Sequence, residues 1–210
     1  MPRSDADLDA LAGLFRLAGR LKTLKRQGWI DRGVDQPESV ADHSWRLALM
    51  AATIAGSDPG VDASRAVLLA LVHDLPEAVT GDVTPFDDQL SRDDADRSNL
   101  FHSLPEYSQT AEQSKTQAER EALRAMTKDL PEEIATMLVE AWEEYESGAT
   151  AEAQFVRQLD KLETWLQALE YQQIQPELII ESFRKGTKRD IQDPELVRLL
   201  DCLASRSQSG

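Results

Sequence analysis

Three observations in the sequence predict an all-α fold, a single-domain helical bundle. Apolar residues recur at spacings of three and four along most of the 210-residue chain, as in helices with one buried face. No stretch of useful length alternates between apolar and polar residues, as a half-buried strand would. Hydrophobic residues make up 41% of the chain, which is enough for a core, and no internal repeat is evident. We therefore expect one domain over residues 1–210.

The helical spacing of the apolar residues, interrupted where turn and capping residues occur, predicts eight helices. The second is apolar on nearly every face, which predicts a central position for it. The predicted ranges are 5–27, 39–56, 62–79, 112–128, 132–146, 151–172, 176–185 and 194–204. Residues 28–38 are turn-rich and predict a loop. Residues 83–111 predict short helices in an irregular segment, with an acidic insertion near 90–111, and residues 205–210 predict a frayed tail.

The stretch LLALVHDLPEAVTGD, residues 68–82, concentrates residues that could carry chemistry. Adjacent helical residues point roughly 100° apart, so His73 and Asp74 could converge on one ion. Glu77 follows His73 by four residues and lies on the same side of the helix. Pro76 predicts a bend or a new turn there because it lacks a backbone N–H. An isolated His-Asp pair is more often a solvated helix face, so the rest of the chain must decide.

The composition excludes some classes of function. The net charge of −15 repels nucleic acid and anionic lipid, so we expect neither as a partner. No apolar run approaches the length of a membrane span, and the N-terminus lacks the apolar region of a signal peptide. Cys202 is the single cysteine, which fits a reducing cytoplasm. An acidic enzyme acting on phosphates would need a local positive site, most simply a metal ion.

Four potential metal ligands lie on three predicted helices: His43, His73, Asp74 and Asp160. Two imidazoles and two carboxylates suit a divalent Mn, Co, Fe or Zn ion better than Ca or Mg. Such an ion lowers the pKa of bound water and polarises a phosphoryl oxygen. The spacing alone does not show that the four meet in space.

These residues stand in longer motifs that resemble a known family. HSWR, LVHDLPEAVTGD and RQLDKLE resemble the H…HD…D signature of HD-domain metal-dependent phosphohydrolases. GWIDRGVDQPESVADHSWRLALMA and AWEEYESGATAEAQFVRQLDKLE narrow the likeness to the HD-domain 5′-deoxynucleotidase group. Within it the chain looks most similar to the HD-domain-containing protein 2 subgroup, over roughly residues 10–200.

The resemblance implies an HD-domain helical bundle that hydrolyses deoxyribonucleoside 5′-monophosphates, holds one divalent ion and forms a homodimer. His43, His73, Asp74 and Asp160 match the metal-ligand positions. Glu77 and Asp82 match the catalytic carboxylates. The residues that match substrate contacts are Trp29, Asp82, Val83, Thr84, Pro85 and, less closely, Glu144. A second ion lacks an obvious imidazole, because the remaining histidine, His102, falls in the irregular segment.

The chain departs from the bacterial pattern at Gly28, where an arginine that orients the phosphate precedes the tryptophan. Arg32 is our first candidate for that role, with Lys25 and Arg26 as others. Two other classes of function stay open: a different HD-type phosphohydrolase, acting on cyclic nucleotides, dNTPs or guanosine tetraphosphate, or an inactive nucleotide-binding or interaction protein.

Overall fold

The structure, a computed structural model, describes residues 3–56, 60–91, 96–104 and 106–207. The all-α prediction is confirmed, because these residues form helices and no strand. The helices are α1 (Asp5–Ala18), α2 (Gln27–Asp31), α3 (Val40–Ala55), α4 (Ala63–Val72), α5 (Glu77–Thr80), α6 (Asp87–Leu90), α7 (Arg97–His102), α8 (Gln109–Thr127), α9 (Glu132–Ser147), α10 (Ala151–Ile174), α11 (Glu181–Asp190) and α12 (Pro194–Ser207), with a 3₁₀ turn at Gly19–Lys22 after α1.

Helix α10 is the centre of the bundle. It packs against α3, α4, α9, α11 and α12, and α3 and α4 pack closely on each other. Their contact faces are fully buried, and the largest aliphatic side chains there are Leu47, Leu69, Leu159 and Leu162. Burial of such faces supplies most of the stability of a helix in a bundle. The strongest periodic segments thus form the layer on which the polar site is built.

The N-terminal region differs from its prediction. The expected helix over 5–27 ends at Ala18, and the chain continues through the 3₁₀ turn. An isolated β-bridge then joins Lys25 to Ser39, the N-cap of α3. The backbone N–H of Arg26 donates to Glu38 O at 3.1 Å in that bridge. These hydrogen bonds compete with a continuous helix, and they fix Arg26 and the short helix α2 beside the start of α3.

The helix predicted over 62–79 is interrupted, as Pro76 indicates, but the interruption begins after Val72, so His73 and Asp74 lie in a turn and not within the helix as predicted. Helix α4 ends at Val72, His73 is its C-cap, and the new short helix α5 begins at Glu77. Gly81 follows with φ 81° and ψ 164°, a backbone conformation open essentially to glycine alone. This turn sets the direction in which the chain leaves for Asp82.

The remaining differences lie in the irregular segment and near the C-terminus. Residues 92–95 and 105 of the predicted acidic insertion lie outside the described residues, while α7 packs against α11. Helix α11 begins five residues later than expected, at Glu181. Helix α12 extends to Ser207, so the predicted frayed tail is helical over residues 205–207, and residues 208–210 are not described. None of the described helices is long and apolar enough to cross a bilayer.

Candidate active site

A cavity of about 1040 Å³ opens beside the central layer. One wall carries His73, Asp74 and Asp160, and the segment Asp82–Phe86 borders it. Helix α8 supplies a further wall, with Lys115 and Glu119. Pockets of roughly 300–1,000 Å³ are typical of small-molecule sites. The chain therefore has a substrate-sized cavity where its predicted chemistry lies.

His43 is held by a carboxylate behind its ring. It lies in the first turn of α3 and is fully buried. Its Nδ1 donates to Oε2 of Glu163, which is also fully buried, and Arg46 Nε donates to the other oxygen of Glu163 at 2.7 Å. This leaves Nε2 of His43 as the free ring nitrogen, 3.2 Å from Asp160 Oδ1 and 3.9 Å from Asp74 Oδ2.

His73 is held by the backbone instead. Its Nδ1 lies 2.9 Å from Ala70 O. A carbonyl only accepts hydrogen bonds, so Nδ1 carries a hydrogen, and in the neutral imidazole the lone pair is then on Nε2. That lone pair lies 3.0 Å from Asp74 Oδ2, which is a second acceptor. Two acceptors at this distance repel each other unless a cation or a proton lies between them.

The donor set fits a divalent metal. Ligand atoms of His43, His73 and Asp74 all lie within 4.8 Å of one another. The Nε2 atoms of both histidines are buried without a hydrogen-bond partner, and Asp160 Oδ1 lies 3.2 Å from that of His43. Nitrogen and carboxylate ligands in this mixture suit Mn, Fe, Co or Zn.

Burial and neighbouring charges have opposite effects on the pKa values of the residues in this cluster. Burial and the charge of Arg26 lower the pKa of His43, but the carboxylates of Glu163 and Asp160 outweigh both and raise it to about 10. Burial raises the pKa of Asp74, but His73, Arg26 and His43 hold it below its usual range. Arg26 Nη1 donates to Asp74 Oδ2 at 3.0 Å. The pKa values of Asp74 and Asp160 are thus both held below their usual range, so these two carboxylates stay ionised although they are buried.

Glu77 and Asp82 lie beside this cluster on either side of the Gly81 turn. Glu77 is 3% exposed, and its Oε2 has no hydrogen-bond partner. Burial raises the pKa of Glu77 well above its usual range, and the negative charges of Asp74 and Asp82 raise it further. Asp82 Oδ2 accepts a hydrogen bond from the backbone N–H of Gln27 at 2.7 Å. One carboxylate is thus unpaired and the other is fixed to the start of α2.

Comparison with known proteins decides the family. The HD-domain family model matches residues 18–196.

The chain belongs to the HD-domain family.

Its relatives cover most of both chains. The human protein named 5′-deoxynucleotidase HDDC2 is 38% identical over 200 residues, which span 94% of this chain and 87% of that protein. A conserved hypothetical protein from Pyrococcus furiosus has a solved structure with a TM-score of 0.67 and 28% identity, covering 91% of this chain and 98% of that one. The solved structure of a predicted metal-dependent phosphohydrolase from Magnetospirillum magnetotacticum has a TM-score of 0.62 and 25% identity, covering 98% of this chain and 97% of that one.

Trp29 of this HD domain lines the cavity with its ring held from two sides. Its Nε1 donates to Glu38 Oε1 at 3.0 Å. The ring centroid lies 4.6 Å from that of Phe183 and 5.1 Å from that of Tyr171. The neighbouring stretch predicted to contact substrate, Val83, Thr84 and Pro85, lines the same cavity.

Arg32 also borders the cavity, but the protein itself occupies its guanidinium. It donates to Gly28 O and to Ser182 Oγ, each at 2.7 Å, and to Ile179 O at 3.3 Å. Its guanidinium carbon also lies 4.2 Å from the Phe101 ring centroid. Burial lowers the pKa of Arg32 to about 10. This geometry favours a role in joining α2, α7 and α11 over the predicted role in binding phosphate.

Glu144 does not border the cavity of this HD domain. Arg65 donates to its Oε2, at 2.8 Å from Nε, and Thr150 donates to its Oε1 at 2.6 Å. Those hydrogen bonds hold the side chain against α4 and the start of α10. Glu146, two residues later, lines the cavity instead. The geometry thus does not favour the predicted substrate contact at Glu144.

Sequence reasoning did not assign a role to Glu163 or to Lys115. Glu163 stands in the quoted motif RQLDKLE, three residues after Asp160 and therefore on the same helix face. That spacing is a signal for a carboxylate directed at the same site. Lys115 and Glu119 form an i, i+4 pair, which in sequence is indistinguishable from a surface salt bridge.

Proposed function

We propose that the protein is a metal-dependent 5′-deoxynucleotidase, which removes the phosphate from deoxyribonucleoside 5′-monophosphates. The observation that carries this proposal is the convergence of His43, His73, Asp74 and Asp160 at the wall of a substrate-sized cavity. The names of several relatives support it, among them the human 5′-deoxynucleotidase at 38% identity.

In our proposal His43, His73, Asp74 and Asp160 hold one divalent ion, which is Mn, Co, Fe or Zn. When bound, such an ion lowers the pKa of its water and polarises a phosphoryl oxygen. A second group of potential ligands, formed by Glu38, His43 and Glu163, lies behind the first. His43 Nδ1 already donates to Glu163 there, and Trp29 donates to Glu38. This favours a single ion.

Glu77 is the proposed base and Asp82 the proposed partner of the sugar. In its ionised form, which the positive charges of Arg26 and Lys115 favour, Glu77 accepts the proton of the attacking water at Oε2, and the water then adds to phosphorus in line with the leaving 5′-oxygen. The P–O bond to the sugar breaks, and the 5′-oxygen takes up a proton. The backbone of Gln27 holds Asp82 in place, so that it can orient the sugar or supply that proton.

The substrate-facing surface combines apolar and polar groups. Trp29, Val83, Thr84 and Pro85 would contact the sugar. Arg26 would act indirectly, because its hydrogen bond to Asp74 keeps that carboxylate charged and directed at the ion. The cavity volume of about 1040 Å³ is at the upper end for small-molecule sites, which keeps larger nucleotides as a second class of substrate.

We also propose a cytoplasmic homodimer. The lone cysteine, Cys202, is exposed and free, as is usual in a reducing compartment. Trp45 and Leu49, one turn apart on α3, are 66% and 49% exposed, and an apolar face of this kind is typical of subunit contacts.

The test is phosphate release from a panel of 5′-monophosphates, deoxy and ribo, after chelation and after restoring Mn²⁺, Co²⁺, Fe²⁺ or Zn²⁺ in turn. We expect release only with a metal, and faster release from deoxyribonucleotides. Cyclic nucleotides, dNTPs and guanosine tetraphosphate complete the panel.

Release from one of these larger or cyclic nucleotides and from no monophosphate would identify a different HD-type phosphohydrolase. Absence of release from every compound, with metal bound at stoichiometry, would favour the inactive nucleotide-binding class.

A further inference from the structure

A half-hidden lysine lies on the α8 wall of the cavity, beside the proposed base. The Lys115 side chain is 25% exposed, and it lines the cavity. Helix α8 packs against α5, the short helix that begins at Glu77. Glu119, one turn further along α8, is buried and lies 2.6 Å from Lys115 Nζ. An ammonium carries three N–H donors, and one carboxylate oxygen takes only one of them.

Each of the other cations that line the cavity has at least one donor engaged by the protein, within the part of the chain that the structure describes. Each makes contacts that fix its side chain against the protein. Arg26 binds Asp74, Arg32 binds Gly28, Ser182 and Ile179, Arg157 binds the carbonyls of Tyr145 and Glu146, Arg189 binds Asp190, and Lys161 binds Asp160.

Lys161 is the nearest rival, and it differs from Lys115 in two ways. It is 46% exposed, and its partner Asp160 belongs to the proposed metal ligands. Lys115 is more enclosed, and its partner Glu119 lies outside that ligand set. A cation in a less solvated position binds an anion more strongly, because water screens the charges less.

The charge of Lys115 also reaches the reacting side of the cavity. Burial lowers its pKa, but the charge of Glu119, followed by those of Asp74 and Glu77, outweighs burial and raises it. In return Lys115 lowers the pKa of Glu77, opposing the rise that burial and the neighbouring carboxylates produce. Lys115, Asp74 and Glu77 all line the same cavity, so the ammonium faces the space that the proposed metal ligands also face.

We propose that Lys115, oriented by Glu119, binds the non-bridging oxygens of the substrate phosphate. This inference rests on the proposed phosphohydrolase function and adds a cation to it. A phosphomonoester is a dianion at neutral pH, and the cavity wall otherwise presents several carboxylates to it. Lys115 offsets that repulsion from the α8 wall of the cavity, and Glu119 limits the rotation of its long side chain.

The experiment measures binding of inorganic phosphate to the metal-loaded protein by calorimetry. Lys115→Met should weaken binding about tenfold or more, since a charge-assisted hydrogen bond is lost. Lys115→Arg should retain most of the affinity. Lys128→Met is the matched control, because Lys128 caps the same helix and is 68% exposed outside the cavity. Metal content and melting temperature show that each variant is folded and loaded.

Kinetics give a second readout. In Lys115→Met the KM for a deoxyribonucleoside monophosphate should rise, while inhibition by the free deoxynucleoside, which has no phosphate, stays unchanged. Equal phosphate affinity in Lys115→Met and wild type would overturn the inference, as would a loss seen in Lys161→Met alone. If wild type hydrolyses no monophosphate, the proposed function fails, yet the binding comparison still decides the role of Lys115.

Discussion

The α3–α10 side of the site and the end of α4 orient their histidines in different ways. On the first side, the His43 ring is held by Glu163, which is held in turn by Arg46. At the end of α4, the His73 ring is held by the carbonyl of Ala70, three residues earlier in its own chain. Both arrangements direct Nε2 to the same place. The first depends on side chains 120 residues apart, and the second is a property of a helix end.

This difference indicates which side of the site a single substitution can change. A backbone carbonyl stays in place whatever side chain the residue carries. A carboxylate partner can be removed by one substitution, and its charge makes the imidazole a stronger ligand. In the proposed metal site, substitutions on the α3–α10 side would therefore change metal affinity, while the orientation of His73 at the end of α4 would stay the same.

The largest expected effect comes from removing either ring. His43→Ala and His73→Ala should each lower phosphate release on the order of 1000-fold, because each takes away a proposed ligand of the metal. Bound metal, measured after dialysis, should fall in both. His102→Ala is the control, since His102 is exposed on α7 and lies outside the cluster. Full metal content in either variant would contradict the ligand assignment.

The two variants His43→Ala and His73→Ala should also differ in their free energy of unfolding. His43→Ala leaves the buried Glu163 carboxylate with one partner fewer, at a cost of about 1–3 kcal/mol beyond that of His73→Ala. Urea unfolding of the two metal-free proteins measures this difference.

A smaller effect is expected from Glu163→Gln, which keeps the shape but removes the charge behind His43. Metal affinity should fall about 10- to 100-fold. Competition with a chromophoric chelator measures this affinity. Glu170→Gln is the matched control, because Glu170 also binds Arg46 but is 45% exposed and does not touch the ring. Unchanged metal affinity in Glu163→Gln would show that the charge behind His43 does not influence metal binding.

The smallest effect on the chemistry is expected from Arg32→Met. The variant should lose about 2 kcal/mol of unfolding free energy with the hydrogen bonds and ring contacts of the guanidinium. Its affinity for inorganic phosphate should equal that of wild type. A loss of phosphate affinity at unchanged stability would instead return Arg32 to the role that the sequence suggested.

The sequence predicts local structure well and cross-chain partners poorly. The helices around His43, the break at Pro76 and the helix carrying Asp160 follow from periodicity and from the chemistry of proline, which act within a few residues. The hydrogen bond from His43 to Glu163 spans 120 positions, and no local pattern encodes it. For the same reason the sequence does not reveal that Ser182, on α11, and Ile179, just before it, accept hydrogen bonds from the guanidinium of Arg32.

Charge patterns were the least informative signal. Glu144 and Glu146 are equally acidic in WEEYE, and only the packing of α9 against α4 pairs the first with Arg65 and leaves the second beside the cavity. The pair of Lys115 and Glu119 has the spacing of an exposed salt bridge, and its burial arises from the way α8 lies over α5.

Gly81 has a consequence for how this protein can evolve. Its φ of 81° and ψ of 164° exclude residues with a side chain, although the space around its Cα is open. Many substitutions on the helix surfaces can accumulate as neutral drift and be compensated by neighbours. At this one position backbone strain blocks such exchange, and no neighbour can relieve it. Lineages that alter substrate preference are thus expected to vary the cavity wall around a glycine that stays constant.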